Sequence, residues 1–95
     1  MSLTKKIMLI DDQDYNLDTS SQILTPHYDV ETYLCSIKAK CAIFSNPSIW
    51  GLIITDYQMP ILDGVTLSKF LLSDKRTKNI PIVIYSAYDF EKEDL

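Results

Sequence analysis

Four short apolar segments punctuate this chain, and the stretches between them carry helical rather than alternating periodicity. Lys6–Ile10 (KIMLI), Tyr28–Leu34 (YDVETYL), the run opened by Gly51 that continues as Leu52–Pro60 (LIITDYQMP), and Ile80–Tyr85 (IPIVIY) each read as a strand. Asp14 predicts a capped helix running to about Leu24, with Leu17, Ser20, Ser21 and Leu24 on one face and Pro26 beyond its end. Leu34, Ile37, Cys41 and Phe44, spaced three, four and three apart, predict one face of a second helix that Asn46-Pro47 closes. Asp63-Gly64 begins a third, with Leu67, Phe70 and Leu71 as its inner face, and Asp89 opens a last acidic helical stretch. Strands alternating with helices, the strands mostly apolar throughout, predict an α/β fold with a parallel sheet covered on both faces.

A chain of 95 residues holds one such core and not two, so residues 1–95 are read as one domain. A hydrophobic share of 46% excludes a disordered chain. Thirteen acids against nine bases, with no basic stripe, argue against direct nucleic-acid contact. No apolar run approaches the roughly 20 residues that cross a bilayer, and the start carries no secretory signal, so a cytoplasmic protein without membrane contact is expected. Cys35 and Cys41 fit no zinc spacing and are expected as reduced, mostly buried thiols. His27, after Pro26 and away from the acids, reads as a surface residue. Trp50 reads as packed against the end of the second helix.

The acids stand where the strands end. The first predicted strand runs into Asp11-Asp12, the third into Asp56 and the fourth into Ser86. In sheets of this kind the ligand site forms at the carboxyl ends of the strands. If the first and third strands are neighbours, Asp11, Asp12 and Asp56 converge, and such a cluster is costly unless a cation or protons neutralise it. Hard oxygen ligands suit Mg²⁺. A metal there lets a carboxylate act as nucleophile towards a phosphoryl group, and Ser86 can donate a hydrogen bond to an oxygen of that group.

With these residues the chain resembles the receiver domain of bacterial two-component response regulators over its whole length. The resemblance rests on Asp11-Asp12 after an apolar strand, on "DYQMP" followed by Asp63-Gly64, and on Ser86-Ala87, with Ser86 following Asp56 by 30 residues. It implies a flavodoxin-like (CheY-like) three-layer sandwich. It also implies that Asp56 accepts a phosphoryl group from a phosphohistidine on a histidine kinase or phosphotransfer protein. Asp12, Asp56 and the backbone carbonyl of Gln58 would hold Mg²⁺, with Asp11 acting largely through water, and Ser86 would contact the phosphoryl group and move inward. Met59-Pro60 would shape the loop behind the acceptor, Gly64 would relieve crowding at the helix start, and Ala87 would keep the approach open. The family's fifth strand, its lysine and its fifth helix are not found, so the sequence is expected to be C-terminally truncated. An effector domain or downstream protein would read the switch, a homodimer is compatible with it, and no catalytic turnover is expected.

Two other readings stand beside this one. A receiver-like interaction module that is not phosphorylated would keep the fold and lose the chemistry. A haloacid-dehalogenase-type phosphatase would use Asp12 and Asp14 of "DDQD", but Tyr15 and the short chain fit it badly. An EF-hand start at Asp12, Asp14, Asn16 and Asp18 is rejected, because Leu17 and Ile23 stand where Gly and Glu are needed. Tyr85 and Tyr88 flank the site, with ordinary packing as the expected role.

Overall fold

A computed structural model describes residues 5–86. Its elements are β1 (Lys6–Ile10), α1 (Asp14–Leu24), β2 (Val30–Tyr33), α2 (Ser36–Ser45), a 3₁₀ turn (Pro47–Ile49), β3 (Trp50–Asp56), α3 (Gly64–Leu72) and β4 (Ile82–Tyr85). The four strands form one parallel sheet in the order β2-β1-β3-β4. The chain winds outward from β1 to β2, then crosses back past β1 and continues through β3 to β4. Because crossovers keep one hand, this reversal sends α1 to one face of the sheet and α2 and α3 to the other.

Side-chain alternation divides the apolar residues between the two layers. Met8, Ile10 and Ile53 point to the α2/α3 side and form the larger core with Ala39, Ile43, Trp50, Leu67 and Leu71. Ile7 and Leu9 point to the other side and meet Leu17, with Leu24, Leu52 and Ile54 packed around them. Ile7 to Ile10 are all buried, which is why β1 carries no polar face. Three layers follow: α1, the sheet, and the α2/α3 pair.

The structure corrects several expectations. Leu34 and Ile37 are exposed, and the face that α2 buries is Ser36, Ala39 and Ile43. Leu34 precedes the cap residue Cys35 and so sets no helical phase. The face against the sheet combines two small residues, Ser36 and Ala39, with Ile43, and a search for large apolar spacing passes over the small ones. Phe70 is 42% exposed, with Lys40 Nζ 3.8 Å above its ring centroid. The ring is covered by a cation from α2 rather than by the core. Both cysteines are free and exposed rather than buried. Cys35 caps α2, where the amides of Lys38 and Ile37 hold its thiol below the usual range, and Cys41 lies on the outer face of that helix.

The second and fourth strands are shorter than expected. β4 begins only at Ile82, because Pro81 has no N–H to give the ladder, although its carbonyl accepts from Ile53 N at 2.9 Å. Val83 is 50% exposed, since α1 packs against the far half of that face. Asp14 is the first helical residue and not the cap; Gln13 takes the cap position with no side-chain bond. Trp50 is buried in the larger core beside Ala39 and Ile43, and His27 is exposed, both as expected. The expectations for Ala87, Tyr88 and the stretch from Asp89 lie outside the described residues.

These burials make a contrast that denaturation can measure. Leu67 is fully buried, so Leu67→Ala should cost about 2–5 kcal/mol. Phe70→Ala, on the same helix, should cost well under half of that. Urea titration followed by circular dichroism gives both values, and equal losses would contradict the assignment of the inner face of α3.

Candidate acidic site at the carboxyl edge of the sheet

Register brings the acids together. Ile10 lies opposite Thr55, so the next residue along each strand, Asp11 and Asp56, emerges at one level. Asp56 in turn lies opposite Tyr85 of β4. Neighbouring residues at one level of a parallel sheet share a face, so Asp11, Asp56 and Tyr85 form a row across β1, β3 and β4. Asp12 joins them from the loop. One carboxylate oxygen from each of Asp11, Asp12 and Asp56 lies within 4.8 Å of the other two. This is the convergence that the sequence predicted, at the point where the winding of the sheet reverses.

The three acids are not alike. Asp11 is completely buried and Asp56 is 8% exposed, whereas Asp12 is half-buried. The carboxylate of Asp11 is held from three directions. Gln13 N donates to Oδ1 at 2.9 Å, Asn16 Nδ2 donates to Oδ2 at 3.1 Å, and the Tyr85 hydroxyl donates to Oδ2 as well. Burial pushes the pKa of Asp56 up, and the charges of Asp11 and Asp12 add to the rise. The amides of Tyr57 and Gln58 oppose it in part. Burial also raises the phenol of Tyr85, together with its bond to Asp11 and the three negative charges around it.

An open cleft of about 420 Å³ leads to this cluster, lined by Asp12, Asn16, Asp56, Gln58 and Pro60 among others. No lysine or arginine is among the described residues that line it. The accessible donors are oxygens, two of them carboxylates, and negative charge is uncompensated. Such a set fits a small hard divalent cation better than a thiol- or imidazole-seeking metal. Gln58 is exposed at the rim, and Ser86 stands half-buried directly after β4, beyond the same edge. Asp14, the second acid of the phosphatase reading, is exposed on α1 and is not one of the clustered acids.

The loop after Asp56 is tightly specified. Met59 and Leu62 are buried in the larger core. Between them Leu62 N bonds back to Pro60 O at 2.7 Å, and Ile61 takes a φ of 72°. A β-branched residue in that region is strained, and the γ-turn that requires it is held by the burial on either side. Asp63 then accepts from Thr66 N at 2.7 Å and caps α3. A Cβ on Gly64 would lie 2.5 Å from the carbonyl oxygen of Asp56 and 3.2 Å from side chains of Ile84 and Thr55. Gly64 therefore permits the close approach of α3 to β3, which is the crowding at the helix start that the sequence expects it to relieve.

Sequence reasoning missed two residues of the site. In sequence Asn16 stands out only within the rejected calcium loop, yet it lies in the first turn of α1 and donates to Asp11. Tyr85 reads as a packing residue flanking the site, yet its hydroxyl bonds to Asp11. Its contact with Asp11 depends on the β3–β4 register, which no local pattern specifies.

Comparison with known proteins agrees with this geometry. The family model for the response regulator receiver domain matches residues 7–94. Among curated relatives, a protein-glutamate methylesterase/protein-glutamine glutaminase 1 from Saccharophagus degradans is 32% identical over 87 residues, covering 90% of this chain and 23% of that protein. The chain thus spans less than a quarter of the length of the curated relatives it matches. Among solved structures, the receiver domain of the Francisella response regulator 1452 superposes with a TM-score of 0.78 at 28% identity, covering 90% of this chain and 69% of that one. A response regulator receiver domain protein from Clostridium thermocellum shares the fold with a TM-score of 0.81 at 24% identity, covering 93% and 69%.

Two outcomes follow from the crowding. Because the folded state holds the Asp56 proton more tightly than the unfolded chain, it binds more protons between the ordinary carboxylate pKa and the raised one. Without divalent cations, stability should therefore fall as pH rises through that window. Asp56→Asn should raise the denaturation midpoint above that window and flatten the dependence within it; an unchanged pH profile would contradict the raised pKa. Gly64→Ala should cost about 1–3 kcal/mol, because the methyl group meets backbone that cannot turn aside, and chemical denaturation reads it directly.

Proposed function

The chain belongs to the response regulator receiver domain family, and from that premise we propose that Asp56 is the residue that accepts the phosphoryl group. Receiver domains of this family serve as phosphoacceptors in two-component signalling, and the finer assignment follows from the site. The observation that carries it is the convergence of Asp11, Asp12 and Asp56, with Asp56 at the end of a buried strand and facing the cleft. A carboxylate raised in basicity by burial and by two like charges is a better nucleophile than one in water.

In this reading a carboxylate oxygen of Asp56 attacks the phosphorus of a phosphohistidine on a histidine kinase or phosphotransfer protein. The new O–P bond makes an acyl phosphate, the P–N bond breaks with its electron pair going to the ring nitrogen, and the imidazole, already protonated on its other nitrogen, leaves as the neutral base. Asp12, Asp56 and the backbone carbonyl of Gln58 would hold Mg²⁺, with Asp11 acting through water. When bound, that ion offsets the charge of the carboxylates and of the incoming phosphoryl oxygens. Ser86 donates its hydroxyl to a phosphoryl oxygen and draws inward, and an effector domain or partner protein reads the change. The amides of Tyr57 and Gln58 face the same carboxylate and steady its orientation. Among the described residues no helix is long and apolar enough to cross a membrane, which is compatible with the cytoplasmic location that such a donor requires. The methylesterase and glutaminase activities named for the curated relative belong to that longer protein.

Incubation with a radiolabelled phosphohistidine donor, or with a small acyl-phosphate donor, tests the assignment. Mg²⁺-dependent, acid-stable and base-labile label should appear on the wild-type protein and be lost in Asp56→Ala. Label that survives this substitution, or that ignores EDTA, would refute it.

A further inference from the structure

Among the described residues, Tyr85 is the tyrosine whose hydroxyl bonds to the acidic cluster. Its backbone lies on β4, level with Asp56, and its hydroxyl crosses the end of β3 to donate to Asp11 Oδ2. That oxygen also accepts from Asn16 Nδ2, and Oδ1 accepts from Gln13 N. A carboxylate offers about four lone-pair sites, so three donors leave Asp11 with about one. The hydroxyl and Asn16 bring the positive ends of their dipoles to the same anion that a cation would seek. The amide of Gln13 is fixed by the turn into α1, and Asn16 sits on a helix. Tyr85 reaches from a separate strand, so its contact is the one that can be removed without disturbing the turn.

Charge explains why such a donor is needed. Asp11 is fully buried beside two other acids, and no described lysine or arginine lines the adjoining cleft. A neutral hydroxyl lends Asp11 part of the stabilisation that a counter-ion would supply. A cation entering the cluster supplies the same stabilisation in full and gains least where a donor already stands. Donor and cation are therefore linked: whatever stabilises the cation-free cluster lowers the free energy released on binding.

We propose that Tyr85 is a positioning residue of the acidic pocket whose hydroxyl competes for Asp11 with the water through which that carboxylate would reach a divalent cation, so that it holds the cation affinity of the pocket down. This rests on the reading of the pocket as a cation site. Tyr85 touches neither the phosphoryl group nor the reacting oxygen of Asp56 in this role. It acts through Asp11, and it tunes how much divalent ion the domain needs before it becomes competent.

The test is titration of the full-length protein with Mg²⁺ by isothermal calorimetry, comparing wild type with Tyr85→Phe. The substitution should tighten binding about tenfold, equivalent to about 1.4 kcal/mol, and enlarge the rise in melting temperature that Mg²⁺ produces. A tyrosine with a purely structural role would lower stability and leave the affinity unchanged or weaker, and that result in a folded variant overturns the proposal. A second measurement needs no variant. Saturating Mg²⁺ should perturb the near-ultraviolet absorption of wild-type tyrosine as the hydroxyl gives up its carboxylate partner, and the absence of that signal overturns the proposal even if Tyr85→Phe fails to fold. If wild type and variant both fail to bind Mg²⁺, the cation reading of the pocket falls and this proposal with it. Equal binding by both removes only the role of Tyr85.

Discussion

Like charges that cannot move apart govern the upper edge of this molecule. Asp11 and Asp56 emerge from adjacent buried strands at one level, and the hydrogen-bonded register between Ile10 and Thr55 fixes their spacing. Sliding one strand by a residue would separate the acids, but it would also exchange that strand's side chains between the two packed layers, as with Met8 and Ile10 in one and Ile7 and Leu9 in the other. The core thus enforces a repulsion that the site, left to itself, would relieve. The surrounding groups answer to that strain. Gln13, Asn16 and Tyr85 all donate to Asp11, and the amides of Tyr57 and Gln58 face Asp56. Each is neutral, so together they make the cluster tolerable without cancelling its charge. What remains is an anionic cleft with oxygen ligands, the property on which cation binding and phosphoryl acceptance both depend.

How far this could be read from sequence depends on the range of the interaction concerned. The apolar runs that became β1 and β3 were visible because they are buried on both faces and so carry no polar alternation. The acids at their ends were visible because each follows such a run directly. The sequence makes the convergence of the acids conditional on β1 and β3 being neighbours, and the sheet order β2-β1-β3-β4 meets that condition. Other features turn on contacts with distant chain segments. The buried face of α2 consists of Ser36, Ala39 and Ile43, where the small Ser36 and Ala39 let the helix approach the sheet and Ile43 fills the core. Hydrophobic spacing favours large residues and so selected Leu34 and Ile37 instead. Phe70 fitted the helical period but meets Lys40 rather than the core. Tyr85 required the β3–β4 register, and nothing within IPIVIY announces it.

The connection from Asp56 to α3 shows why a change at one carboxylate need not stay local. Only the loop 57–63 separates β3 from the helix, and little of it is slack. Tyr57 N continues the ladder to Tyr85 O at 2.7 Å, while Tyr57 O accepts from Gly64 N at 2.9 Å. Met59 and Leu62 are anchored in the same core as Leu67 and Leu71, and the strained Ile61 lies between those anchors. Thr55 Oγ1 touches both the Asp56 carbonyl and the sulfur of Met59. Gly64 sits so close to that carbonyl that no side chain fits between them. On that side a displacement of Asp56 meets packed atoms, and packed interiors respond by shifting whole elements. The loop and the start of α3 must therefore move with Asp56 or hold it still. On the β4 side Asp56 lies opposite Tyr85, whose hydroxyl donates to Asp11, so the acidic cluster ties the end of β4 to β1 across the end of β3.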